Sequence, residues 1–66
     1  MRRIMSKFSG KFVGKFDDSK LPIFKVHGED GQEIGEFSAI NAVPGDLEKN
    51  CEIVLDDPKD RFVRVM

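Results

Sequence analysis

The stretch KFSGKFVGKF, residues 7–16, places three lysines and three phenylalanines in ten positions, with Gly10 and Gly14 between them. Two kinds of chemistry can use such a repeat. Ammonium groups hold phosphates and rings stack on bases, so the repeat could form a platform for single-stranded nucleic acid. Alternatively it forms one strand of a small barrel, with the lysines in water and the rings in the core. Other reactive groups are few. His27 and Cys51 are the only residues of their kinds and share no ligand spacing, which makes them a poor zinc site. A Cys–His nucleophilic pair would also need orienting groups and a cleft. Asp56, Asp57 and Asp60 surround Pro58 in a turn, where aspartate serves turn chemistry. The glycines of GEDGQEIG precede no helix, so the phosphate-loop and dinucleotide patterns fail. No acid–base or nucleophile set converges; the expectation is a protein without catalytic residues, cofactor or metal.

The elements that must position these residues follow from short alternating apolar runs. Gly, Pro and Asp clusters separate them about every ten residues, the pattern of a small all-β barrel or sandwich. Five strands are expected: about Arg3–Phe16, Pro22–His27, Glu33–Ile40, Cys51–Asp56 and Arg61–Met66. In the first, the period of two puts Phe8, Phe12 and Phe16 on one side and Lys7, Lys11 and Lys15 on the other. A helix with the same spacing would carry two interior glycines at about 1 kcal/mol each. GEDGQ, residues 28–32, joins the second and third strands as a hairpin. NAVPGDLEKN is the longest connection, with a short helical turn expected near 46–50. If Lys25 faces water, Phe24 and Val26 point inward. Five strands with a long connection after the third predict a five-stranded Greek-key barrel of the OB type, with an SH3-like barrel as the alternative.

Composition bounds the rest. At 66 residues the chain is expected to form one domain, 1–66, with a thin core. Eleven basic residues against 12 acids give a net charge of −1, which excludes a generally basic nucleic-acid coat. The charge is uneven, however: residues 1–16 hold five basic side chains and no acid, so one face can still be basic. The lone Cys51 permits no internal disulfide and suits a reducing cytoplasm. No apolar run approaches the roughly 20 residues that span a bilayer, so no membrane role is expected. MRRIM lacks the apolar stretch of a signal peptide.

FSAI, residues 37–40, resembles the end of the third strand of bacterial cold shock domains. LEKNCEIVLD, RFVRVM and VGKFDDSKLPIFKV are more loosely similar to that family's fourth, fifth, and first and second strands. The resemblance implies an OB barrel that binds single-stranded RNA or DNA by stacking bases on exposed aromatics. It aligns Phe16 with the Phe of the family's Trp-Phe-Asn, Lys20 with the Lys of Lys-Gly-Phe-Gly-Phe, and Phe24 with the last Phe of that motif. Lys15 stands where the family has Trp. Pro22, Ile34 and Glu36 replace two stacking Phe residues and a His. The expected nucleic-acid contacts are therefore Lys11, Lys15 and Lys20 on phosphates, with Phe24 and Phe37 as the remaining stacking groups. The rival expectation is a protein-interaction barrel, pairing with a partner or with itself as a homodimer through an exposed strand or its acidic half.

Overall fold

The computed structural model describes residues 8–57, 59 and 61–66. The start of the first expected strand and much of the DPKD turn lie outside this set. Five strands form: β1 (Phe8–Phe16), β2 (Pro22–His27), β3 (Glu33–Ala39), β4 (Cys51–Asp57) and β5 (Phe62–Val65). They close into a barrel in the order β1-β2-β3-β5-β4, with β1 also pairing antiparallel with β4. The fold is thus the expected all-β five-stranded Greek-key barrel. Closure removes most of the free strand edge that invites aggregation. The helical turn of the long connection is a 3-10 turn at Pro44–Glu48, slightly earlier than expected. Pro44 supplies its first residue, and the Asp46 carboxylate accepts the Val43 N–H at 3.0 Å.

Alternation along β2 builds the core. Pro22, Phe24 and Val26 are buried and the residues between them are not. The core comprises Phe24, Val26, Phe37, Ala39, Cys51, Ile53 and Val63, with Phe8, Phe12, Leu47 and Leu55 half-buried against it. Gly10 lets β1 lie close to its neighbours: a Cβ there would meet Ile53 Cγ1 at 3.0 Å and the Lys25 carbonyl at 3.3 Å.

The two hairpin loops have the same backbone geometry. In the first, Asp17 N donates to Leu21 O at 2.8 Å and Lys20 N to Asp17 O at 2.9 Å. In the second, Gly28 N donates to Gln32 O at 2.8 Å and Gly31 N to Gly28 O at 2.9 Å. Each loop needs a left-handed fourth residue. Gly31 fills that place with φ 85°, and Lys20 fills it with φ 69°. Glycine carries no Cβ penalty there, whereas an L side chain costs about 1–2 kcal/mol. A Cβ at position 31 would touch nothing within 4 Å, so the cost there is conformational alone. Gly31→Ala is therefore expected to lower the urea midpoint. Lys20→Gly should leave it level or raise it, since relief of strain outweighs the roughly 0.4–1 kcal/mol of added unfolded-state freedom. The reverse order of midpoints would refute this account of the loops.

The β3–β5 seam is parallel and short. It rests on the pairs Ser38↔Phe62 and Ala39↔Val63. Asn41 extends it with its side chain: Nδ2 donates to Val65 O at 2.9 Å, and Oδ1 accepts from Val65 N at 2.7 Å. Farther along β3, Arg61 Nη1 donates to Glu36 O at 3.3 Å and the guanidinium lies 5.5 Å from the Phe37 ring centre. The glycine at position 35 makes room, since a Cβ there would stand 3.2 Å from Arg61 Nη1.

Candidate nucleic-acid interface

Cross-strand register decides which of the expected contact residues share a surface. On the outer side of the β1–β2 ladder, Lys11 lies directly opposite Lys25, and Lys25 is opposite Glu36 of β3. Like charges in register repel and destabilise a sheet. Lys25 has partial relief from Glu33, 4.0 Å away. Lys11, Lys15 and Lys20 are all exposed, and among the described residues none of them forms an ion pair. Lys15 stands near the end of β1 and Lys20 in the loop that follows. The three lysines expected on phosphates thus lie along one strand and its hairpin loop, with Lys25 beside them. Parity within β2 marks Lys25 as outward, but only the register shows that it faces Lys11. Lys7 lies outside the described residues.

The expected stacking rings are corrected. Phe24 is fully buried and Phe37 is 7% exposed. The two are paired across β2 and β3 and both point into the barrel. The residual face of Phe37 is covered by the Arg61 guanidinium. Neither ring offers a face to a base. Phe8 and Phe12 keep the expected core side, but Phe16 does not: it is 56% exposed. The cause is a register slip in β1. Between the pairs Phe12↔Phe24 and Phe16↔Pro22, β1 has three residues where β2 has one. Gly14 takes φ 86° inside this bulge. The bulge carries Phe16 to the end of the barrel, where its ring meets Phe12 edge-on at 5.3 Å. The available aromatic surface is therefore Phe16, flanked in sequence by Lys15.

The loop beside it is well ordered by hydrogen bonds. Asp17 Oδ1 accepts from Ser19 N at 2.8 Å and Leu21 N at 2.9 Å. The Ser38 hydroxyl, with these backbone donors, holds the Asp17 carboxyl below the usual carboxylate range. Asp17 thus serves as an acceptor for its own loop.

Cys51 is buried, and its thiol lies 3.3 Å from Asp46 O and 3.6 Å from Lys49 O. Burial, reinforced by the Asp46 charge and opposed by Lys49, pushes the thiol above its ordinary value, the state of an inert structural cysteine. Among the described residues no group of three or more His, Cys, Asp or Glu is placed to hold a metal ion. No helix among them is long and apolar enough to cross a membrane.

In comparisons with known proteins, no family model, curated protein or solved structure matches the chain.

Proposed function

We propose that this barrel is a non-catalytic module for single-stranded nucleic acid, and that it binds through the outer β1–β2 face and its hairpin. Lys11, Lys15 and Lys20 contact phosphates, Lys25 adds a fourth charge, and Phe16 supplies the stacking ring. The observation that carries this reading is the cationic ladder: Lys11 opposite Lys25, which Glu33 relieves only in part, continuing along β1 to the exposed Phe16. A bound phosphate chain would relieve the repulsion between the paired lysines. The resemblance of FSAI and its flanking strands to cold shock domains supports the same reading, with one ring in place of that family's aromatic platform. The lone thiol is consistent with a reducing cytoplasm.

The test is titration with labelled single-stranded oligonucleotides at several salt concentrations, read by anisotropy. Binding is expected to be weak and to fall steeply with salt. Replacing Lys11, Lys15 and Lys20 together by glutamine should flatten the log–log salt slope by up to about 2, at roughly 0.7 per phosphate contact. Phe16→Ala should cost about 1–3 kcal/mol of affinity, as for a lost base stack, and leave the salt slope unchanged. Unchanged affinity and slope in the triple variant would reduce these lysines to a solvated face. If the parent binds no oligonucleotide at low salt, the proposal fails and the protein-interaction barrel takes its place.

A further inference from the structure

The end of the barrel opposite the basic hairpin has the complementary character. A hollow of ≈ 380 Å³ opens there, where β1 begins, β2 ends and β4 begins. Phe8 and Cys51 form its apolar part, and the small residues Ser9 and Gly28 keep it open. Glu29 and Glu52 stand exposed on its rim and, among the described residues, join no ion pair. Beside it, the Met66 N–H donates to Glu52 O at 2.9 Å, and Met66 is 75% exposed. An apolar recess with two unpaired carboxylates fits a group that brings an apolar body and positive charge together. The hairpin at the far end of the same strand presents that combination: the exposed Phe16 ring with Lys15 and Lys20.

We propose that the hollow of one molecule receives the β1–β2 hairpin of a second copy of this chain. Phe16 packs toward Phe8, and Lys15 and Lys20 approach Glu29 and Glu52. The two surfaces are different and lie at opposite ends of β1, so the contact is head-to-tail. Unless the geometry closes a ring, such a contact propagates into open chains rather than stopping at a symmetric dimer. A single hairpin in a hollow is a small interface, so association is weak and grows with protein concentration. Its exposed charges make it sensitive to salt. The contact uses the proposed nucleic-acid hairpin but does not require nucleic acid.

Charge reversal tests it. The nucleic-acid-free parent is followed by sedimentation velocity over a concentration series at low and high salt, beside two variants. One carries Glu29→Lys with Glu52→Lys, the other Lys15→Glu with Lys20→Glu. All four positions are exposed, and circular dichroism verifies the fold of each variant. The parent is expected to gain mass with concentration at low salt and to lose that gain at high salt. Each variant alone should associate at least about tenfold more weakly, because two exposed ion pairs are replaced by like-charge repulsion. An equimolar mixture of the variants should recover association, because each reversed surface meets its complement on the other protein. The hollow variant should still bind oligonucleotide if the parent does, which separates failure of this proposal from failure of the nucleic-acid reading. A parent that stays monomeric at its highest attainable concentration in low salt overturns the proposal. So does a mixture that associates no better than its components.

Discussion

Phe24→Ala is expected to unfold the domain or leave it barely folded. Phe24 is fully buried, pairs with Phe37 across the β2–β3 ladder, and has its ring 6.2 Å from that of Phe12. Truncating a buried Phe costs about 3–5 kcal/mol. A domain of 66 residues has only about 3–10 kcal/mol in total, at roughly 0.05–0.15 kcal/mol per residue. The loss therefore approaches or exceeds the whole. Urea melts followed by far-ultraviolet circular dichroism measure it, because the chain has no Trp or Tyr to report by fluorescence. Phe16→Ala is the control. That ring is 56% exposed, so its removal should stay within about 1 kcal/mol, the smaller effect expected at a surface position. Phe12→Ala, half-buried between the two rings, should fall between them. Equal melts for Phe24→Ala and the parent would show that Phe24 lies outside the core, and its role as a stacking group would have to be restored.

Gly10→Ala is expected to cost about 1–3 kcal/mol, the range for overpacking a close-packed site. Elsewhere in a strand, alanine is no worse than glycine and often better. At position 10 a Cβ would stand 3.0 Å from Ile53 Cγ1 and 3.3 Å from the Lys25 carbonyl. Ile53 is itself buried in the core, and the carbonyl belongs to the adjoining strand, so neither neighbour yields easily. The strain falls where β1 pairs with both β2 and β4, at Gly10↔Val26 and Gly10↔Cys51. Loosening this point opens the barrel between its first and fourth strands. Hydrogen exchange should therefore show faster amide exchange in β4 of the variant than in the β2–β3 hairpin. A stabilised Gly10→Ala would mean that the strands have room to part, contrary to the close approach described here.

The local signals in the chain determined most of its secondary structure. Alternation in PIFKVH pointed Phe24 and Val26 inward once Lys25 was assigned to water, whereas the family resemblance kept Phe24 as a stacking ring, and its burial decides for the alternation. Glycine, proline and aspartate clusters marked the hairpin loops, because the required backbone angles are local properties of those residue types. A short helical turn was expected near 46–50, and it begins earlier, at Pro44, whose ring pre-sets the backbone angle of its first residue. The site was harder to read for two physical reasons. First, a period of two assigns sides only while the register holds. The bulge at Gly14 uses three residues of β1 against one of β2, and it turned Phe16 from an expected core ring into the exposed one. The φ 86° conformation that permits it is open to glycine, but no local signal told this glycine from the one at position 10, which serves close packing. Second, neighbours across strands are chosen by the tertiary pairing. The facing of Lys11 and Lys25, the cover of Arg61 over Phe37, the two bonds of Asn41 to Val65, and the meeting of Phe8, Glu29 and Glu52 around one hollow join residues from different strands and loops. Each strand carried its own pattern of apolar and charged faces, but only closure of the barrel in the order β1-β2-β3-β5-β4 decided which of those faces met.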